Sequence, residues 1–280
     1  MYSAAQSEIA KLLTLKLLEL GPTFIKLGQL LSTRIDVLPK EFINELCALQ
    51  DQVPGFSGDL AVEIIERELG RPIEQLYDSF NRTSIAAASL GQVHVAVLNG
   101  NTVAVKIQRQ GLKQLFDMDL QNIRVLAIIL DKLDPKADGA QRDWISIYDE
   151  SAKLLYREID YRLEAFNSIR FQDNFKDVPW VKVPDVSESI YAIPRLAPLI
   201  CPTPMLKVYL NMTTANMITM EYVPGIKINN IAKIEQAGID RELLAKRSAE
   251  SYLTQICRHG FFRKMLRSLL FACCCCCCPS

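Results

Sequence analysis

A tight hairpin constrains the fold of this chain more than any other feature of its sequence. Apolar residues alternate with other residues over 92–98 and again over 102–107, and the dipeptide Asn99-Gly100 lies between the two runs. Asn-Gly readily adopts the positive φ angles that a two-residue hairpin turn requires. The sequence therefore predicts two antiparallel strands, with Lys106 on the second.

The composition indicates a globular chain without a charge bias. Its 280 residues suffice for one large or two modest domains, and 32 Lys and Arg balance 32 Asp and Glu. We therefore expect no nucleic-acid partner, and any recognition of phosphate must be local. Of the nine cysteines, six form the run 273–278, which fits neither a disulfide framework nor a zinc site. We expect no metal-binding residue, no membrane-spanning helix and no targeting peptide in these residues.

The order of helical and strand patterns predicts an α+β fold. Helices are expected at about 3–20, from Pro22 onward, and at about 39–50, 57–70, 110–134, 143–174 and 240–258. Strands are expected at about 80–86, 92–98, 102–108, 181–186 and 217–223, which together predict a five-stranded antiparallel sheet. Two segments do not fit this order: 187–212 contains four prolines and predicts an irregular insert, and 263–280 is basic, then apolar, then polycysteine.

A short pattern near the start of the chain is the most specific feature of the sequence. Lys26-Leu-Gly28-Gln29 is followed by Leu-Pro at 38–39 and by Leu-Gln-Asp-Gln-Val-Pro at 49–54. With these features the sequence resembles the UbiB/ADCK family of atypical protein-kinase-like proteins, over about 17–262. In that family a helical extension folds over the nucleotide site, so the resemblance implies that Lys26, Gly28 and Gln29 are regulatory residues near the phosphates. Without it, they would be read as ordinary residues of a solvated helix.

The resemblance also implies the domain organisation. It consists of an N-terminal helical extension at 1–78, a kinase-like small lobe at 79–225 that contains the insert, the start of a truncated large lobe at 226–262, and the atypical tail at 263–280.

Lys106 ends the strand sequence Val-Ala-Val-Lys, which matches the strand whose lysine holds the α/β-phosphates in kinases. Taken alone, a solvated lysine on a surface hairpin explains these residues equally well. The resemblance makes the preceding alanine-rich segment the counterpart of the kinase glycine-rich loop, with a stiffer backbone because alanine resists positive φ. The nucleotide-binding residues expected there are Ala86, Ala87, Ala88, Ser89 and Gly91. The alternative is a strand of small residues packed under a helix.

Three acidic residues lie close together on the helical pattern at 143–174. The resemblance implies that Glu164 pairs with Lys106 and completes the nucleotide site, and that Glu158 and Asp160 are regulatory residues facing the helical extension or the metal. Without the resemblance, a charged helix face paired with the neighbouring arginines is the preferred interpretation.

Residues 220–225, Met-Glu-Tyr-Val-Pro-Gly, follow the last predicted strand and resemble a kinase hinge. Backbone groups of Glu221 and Val223 are expected to meet the edge of adenine, with Met220 as the deeper neighbour. A strand end followed by a Pro-Gly turn is the alternative.

The sequence downstream of residue 262 contains neither the catalytic loop nor the Asp-Phe-Gly element of the family. We therefore predict no catalytic residue here, and the resemblance implies binding of ATP with Mg²⁺ at an incomplete magnesium site. The family supports isoprenoid quinone or prenyl-lipid metabolism in bacteria, mitochondria or chloroplasts, which implies an organellar protein peripheral to a membrane, with a lipid or membrane surface as a further partner. The alternatives are a non-catalytic nucleotide-binding regulatory module and a splice-derived fragment without function. The oligomeric state is not set by the sequence.

Overall fold

The computed structural model describes residues 2–35, 38–50, 55–133, 143–178, 180–181, 209–226 and 230–260. In this part of the chain a four-helix preface leads into a small fifth helix and an antiparallel sheet, with further helices between and after the strands. The helices are α1 (Tyr2–Leu20), α2 (Pro22–Leu31), α3 (Lys40–Leu46), α4 (Gly58–Leu69), α5 (Ile73–Leu76), α6 (Leu112–Leu133), α7 (Trp144–Glu158), α8 (Tyr161–Phe175), α9 (Ile231–Gln236) and α10 (Arg241–Leu253). Short 3-10 turns follow α3 at Cys47–Gln50 and precede the last strand at Leu210–Met212, and a π-helical turn follows α10 at Thr254–Arg258.

The described residues form a five-stranded antiparallel sheet, which confirms the predicted α+β class. Its strands are β1 (Ser79–Phe80), β2 (Ala86–Ala87), β3 (Gly91–Leu98), β4 (Asn101–Gln108) and β5 (Met217–Glu221). The order across the sheet is β1-β3-β4-β5, and β2 also pairs with β3.

The central hairpin confirms the prediction made from its turn. Leu98 pairs with Asn101, and the register continues without a bulge to Gly91 and Gln108. Asn99 and Gly100 adopt φ values of 50° and 75°, the left-handed conformation that the Asn-Gly dipeptide tolerates.

The make-up of the sheet differs from the prediction at its first strand. The segment expected as one strand at about 80–86 forms β1 and β2, separated by a turn in which the side-chain oxygen of Asn81 accepts a hydrogen bond from the backbone N–H of Thr83 at 2.9 Å. Such a local side-chain bond stabilises a turn at the expense of the strand. The strand predicted at 181–186 lies outside the described residues from 182 onward, as do 187–208 of the proline-rich segment and the tail 263–280.

The long helix predicted at 143–174 is also divided. α7 ends at Glu158, and Asp160 caps α8 by accepting a hydrogen bond from the backbone N–H of Arg162. The backbone N–H of Tyr161 leaves the helical pattern and donates to the carbonyl of Ala215, 3.0 Å away. The helix is interrupted because the cap and this tertiary bond satisfy the first donors of a new helix.

Each face of the sheet contributes to a different hydrophobic cluster. The first includes Ala96 and Val105 and is covered by α4 and α5, through residues such as Ile65. These two helices therefore share a core with the sheet, although they precede the boundary predicted at residue 78. The second face is covered by α8 and holds the candidate site.

None of the described helices combines the length and the apolar character needed to cross a membrane.

Candidate functional site

The ion pair between Lys106 and Glu164 lies at the centre of the second sheet face. Lys106 stands on β4 beside Val93 of β3 and Ile218 of β5, and Glu164 lies in the first turn of α8. The ammonium Nζ and the carboxylate Oε2 are 2.7 Å apart, and the two side chains are only 15% and 20% exposed. The structure thus brings together the two residues, 58 positions apart, that the resemblance paired.

An apolar wall surrounds this ion pair. Val93, Ala104 and Met220 are buried together on the same face, with Ala86 and Tyr222 packed at the edge of the cluster. The wall is flat because neighbouring strands place these side chains on one side of the pleat. Such a surface suits a planar heterocycle.

The hinge residues lie where β5 ends. The backbone N–H of Tyr222 donates to the carbonyl of Thr102 on β4 at 3.1 Å. Strand hydrogen bonding alternates in direction, so the carbonyl of Glu221 and the N–H of Val223 point away from β4, toward the outer side of β5. Val223 is buried and Glu221 is half-buried.

The alanine-rich segment forms a closed turn above the wall. The backbone N–H of Ala88 donates to the carbonyl of Gly91 at 2.8 Å, and the Ser89 side chain is buried. Arg109 donates from Nε to the carbonyl of Ser89 at 3.1 Å and from Nη2 to that of Ala88 at 3.4 Å. Of the five residues predicted here, Ala87 is exposed and Ala86 lies at the edge of the wall.

Gly91 is required by close approach of the backbone rather than by a positive φ. A Cβ at this position would overlap the carbonyl oxygen of Ile107 on the neighbouring strand. Any side chain would therefore separate the turn from β4.

A buried polar network connects β3 to the segment at Phe56 and to the turn at Asn81. The side chain of Gln92 accepts from the backbone N–H of Phe56 at 2.8 Å and donates to the Phe56 carbonyl at 3.1 Å and to Nε2 of His94 at 2.9 Å. Nδ1 of His94 then donates to the carbonyl of Asn81 at 2.8 Å. Burial lowers the pKa of His94, which favours the neutral imidazole, and both ring nitrogens have hydrogen-bond partners within the protein.

The extension reaches the site through Lys26. Its ammonium forms a short ion pair with Glu158 at the end of α7, and the side chains are 21% and 40% exposed. Gln29 points elsewhere: its amide donates to the carbonyl of Leu49 at 2.8 Å and so fastens α2 to the 3-10 turn. Gly28 permits close packing in α2, because a Cβ there would lie 2.5 Å from Cδ1 of Leu49.

The carboxylate of Asp160 has its partner on its own helix. The resemblance implied that Asp160 faces the extension or a metal, and in the structure its carboxylate binds Arg162 through Nη2 at 2.8 Å and Nε at 2.9 Å. Hydrogen bonds from Arg162 lower the pKa of Asp160. Asp160 thus caps α8 and pairs with Arg162, and a contact with the extension or a metal stays a prediction.

Two residues of the site escaped the sequence interpretation. Tyr161 lies beneath Lys106, with the ammonium 4.5 Å from the ring centroid, and Arg109 fixes the turn. Many tyrosines directly follow a helix cap, and many cationic residues directly follow a strand. The sequence around Tyr161 and Arg109 therefore does not mark them as residues of a site.

Comparison with known proteins identifies the fold family. A family model described as ABC1 atypical kinase-like domain matches residues 48–192 and 203–264, more than half of the chain. The gap between the two matched segments lies within the proline-rich segment 187–212.

Three relatives illustrate the similarity. The chain is 52% identical over 254 residues to Protein ACTIVITY OF BC1 COMPLEX KINASE 8, chloroplastic, of Arabidopsis thaliana, covering 91% of this chain and 30% of the relative. It is 46% identical to Protein ACTIVITY OF BC1 COMPLEX KINASE 7, chloroplastic, of the same plant, over 91% and 33% of the two chains. It is 36% identical to Probable protein kinase UbiB of Shewanella baltica, over 89% and 42%. The chain thus spans less than half the length of these relatives.

Proposed function

The chain belongs to the ABC1 atypical kinase-like family, which supports its resemblance to UbiB, and from this premise we propose that it binds ATP with Lys106 as the phosphate-binding cation. One observation carries the proposal: the half-buried ion pair of Lys106 with Glu164 lies between the alanine-rich turn and the apolar wall. A carboxylate at 2.7 Å fixes the position of the ammonium, so that it can meet an anionic phosphate without first losing side-chain freedom.

The remainder of the site fits the other parts of a nucleotide. The wall formed by Val93, Ala104 and Met220 offers an apolar surface to adenine. The carbonyl of Glu221 and the N–H of Val223 point toward the side of β5 where the edge of the base would lie. When bound, ATP supplies a transferable phosphoryl group, and the residues present bind and orient it.

The described residues do not fit a complete magnesium site. Among them, no three His, Cys, Asp or Glu side chains come close enough together to hold a metal ion. Glu158 pairs with Lys26 and Asp160 with Arg162, so both carboxylates already have a cationic partner within the protein. No step of phosphoryl transfer is therefore assigned to these residues.

We propose that these 280 residues alone bind nucleotide without turning it over. The sequence contains no Asp-Phe-Gly, and no Asp-Pro-His-Pro-Gly-Asn-like run supplies the aspartate and asparagine that orient the nucleophile and hold Mg²⁺. A regulatory nucleotide-binding module is the second candidate, favoured by this same lack.

The names of the relatives suggest a setting for this function. Two of those compared are chloroplastic, and one is named UbiB, so we place the protein in an organelle, with the chloroplast favoured. The UbiB resemblance points to support of isoprenoid quinone or prenyl-lipid metabolism, with association at a membrane surface.

Isothermal titration calorimetry of the 280-residue chain with ATP tests the proposal. We expect the wild type to bind, and Lys106→Ala and Glu164→Gln to bind about ten- to a hundredfold more weakly, since a hydrogen bond to a charged group contributes about 1.5–3 kcal/mol. The matched control is Lys113→Ala, because Lys113 forms an exposed i,i+4 pair with Asp117 at 3.4 Å and should bind ATP like the wild type. A wild-type chain that binds no ATP, or a Lys106→Ala variant that binds it unchanged, would refute the proposal.

A coupled ATPase assay tests whether these residues turn over the bound ATP. Magnesium-dependent turnover that disappears in Lys106→Met would establish an active enzyme and exclude the purely regulatory module. ATP binding without turnover is the expected result.

A further inference from the structure

A buried hydroxyl group in the site has no hydrogen-bond partner. Tyr161 begins α8 and is 1% exposed, and its Oη makes no hydrogen bond to any described residue. Burying a hydroxyl without a partner opposes folding, because the group loses its hydrogen bonds to water. Phenylalanine would fill the same space without this penalty, so the hydroxyl calls for a reason beyond packing.

The position of the hydroxyl relates it to the phosphate-binding elements. The ring of Tyr161 lies under the ammonium of Lys106, 4.5 Å from Nζ to the ring centroid. A Cβ placed on Gly91 would come within 3.0 Å of Oη. The hydroxyl is therefore covered by the glycine of the alanine-rich turn, and the ring that carries it lies under the lysine of the strand.

The surrounding charges determine what the hydroxyl can do. Burial, and after it the carboxylates of Glu164 and Glu158, raise the pKa of Tyr161 far above its ordinary value. The phenol therefore keeps its proton and can act as a hydrogen-bond donor, whereas a role as a base is excluded. A donor beside an ammonium group is suited to an acceptor that carries negative charge.

We propose that the Tyr161 hydroxyl donates a hydrogen bond to the phosphate chain of the nucleotide bound at Lys106, and so forms a second phosphate contact beneath the alanine-rich turn. This inference rests on the proposed binding of ATP. Because the hydroxyl is covered, phosphate reaches it when the turn moves outward, and the missing side chain of Gly91 keeps the required movement small. The turn is fastened through carbonyl groups held by Arg109, whose long side chain can follow such a shift.

The test compares two buried tyrosines, of which one has a hydrogen-bond partner for its hydroxyl and the other has none among the described residues. Tyr77 is also buried, but it lies on the opposite sheet face and its hydroxyl is within 3.0 Å of Oγ1 of Thr219. Tyr161→Phe and Tyr77→Phe each remove one oxygen atom and keep the ring. Both variants of the 280-residue chain are compared with the wild type by thermal unfolding without nucleotide and by calorimetric titration with ATP and with adenosine.

The two variants should shift the unfolding midpoint in opposite directions, and only Tyr161→Phe should weaken the binding of ATP. We expect Tyr161→Phe to raise the unfolding midpoint by about 2–4 °C, since it removes an unpaired buried hydroxyl. The same variant should bind ATP about ten- to a hundredfold more weakly and adenosine as the wild type does, because only the phosphate contact is lost. Tyr77→Phe should lower the midpoint and leave the affinity for ATP unchanged.

Three results would overturn the inference. If Tyr161→Phe binds ATP as tightly as the wild type, the hydroxyl does not contact the nucleotide. If the variant unfolds at a lower temperature, the hydroxyl has a protein partner in solution and is not held free for the nucleotide. A wild type that binds no ATP refutes the proposed function as well, whereas binding that needs Lys106 but not the hydroxyl refutes this inference alone.

Discussion

Replacing Gln92 by leucine should detach the segment at Phe56 from the sheet without touching the nucleotide face. Gln92 is 1% exposed, and its amide bridges the segment at Phe56 to His94 within the sheet. Leucine has a similar volume but neither donates nor accepts, so the change removes the bridge and leaves the packing volume nearly intact.

The size of the effect follows from the groups left behind. Gln92→Leu removes three hydrogen bonds, of which two bind the half-buried backbone of Phe56 and one binds the fully buried Nε2 of His94. A hydrogen bond contributes about 1 kcal/mol net, but a buried group left unpaired costs about 1–3 kcal/mol. Since the Phe56 groups can regain water and His94 cannot, we expect a total loss of about 3–5 kcal/mol.

Gln108→Leu is the matched control for this prediction. Gln108 is also buried in the sheet, at 3% exposure, but its amide makes a single described bond, to the carbonyl of Ile159 at 2.8 Å. The same substitution there should cost about 1–2 kcal/mol. Urea unfolding followed by circular dichroism gives the two free energies, and hydrogen exchange at the Phe56 amide shows whether the bridge has opened.

Two results would refute this reasoning. If Gln92→Leu and Gln108→Leu lose the same free energy, the network at His94 contributes nothing beyond one ordinary hydrogen bond. If the amide of Phe56 stays protected in Gln92→Leu, the segment is held by other contacts and the side chain of Gln92 is not the bridge.

Two further predictions concern stability. Burial lowers the pKa of His94 below its ordinary value of 6.5, so in mildly acidic solution the unfolded chain binds a proton at His94 more readily than the folded chain does. The free energy of unfolding should therefore fall as pH drops below about 6.5. Urea titrations at several pH values should show a shallower fall in His94→Gln. Gly28→Ala should lower the unfolding midpoint, because the new Cβ would meet Leu49 and overpacking costs about 1–3 kcal/mol. This cost should exceed the helix preference of alanine over glycine, which is about 1 kcal/mol. A higher midpoint in a thermal scan would show that α2 can shift away.

The hairpin and the main ion pair could be predicted from the sequence because each rests on a strong pattern. Asn99-Gly100 determines a turn by its own backbone preferences, and the register of β3 and β4 then places Lys106. The pairing of Lys106 with Glu164 came from the family resemblance and not from spacing, since 58 residues separate them.

The parts that escaped prediction depend on contacts between distant segments. Gln92 and His94 are polar residues in alternation with valines, a pattern typical of a strand with one solvated face, yet both are buried because Phe56 and Asn81 satisfy them from other segments. The interruption before Tyr161 was hidden because the apolar period continues across it.

That interruption lets one short acidic segment serve two parts of the molecule. Glu158 and Glu164 are six positions apart, and on a continuous helix they would be separated by about 9 Å along the axis and would point roughly 120° apart. The break at Ile159 and Asp160 gives each glutamate its own helix, so that Glu158 meets Lys26 of the extension while Glu164 meets Lys106 of the sheet. The break in the helix therefore joins two ion pairs, one to the extension and one to the sheet, through a segment of only seven residues.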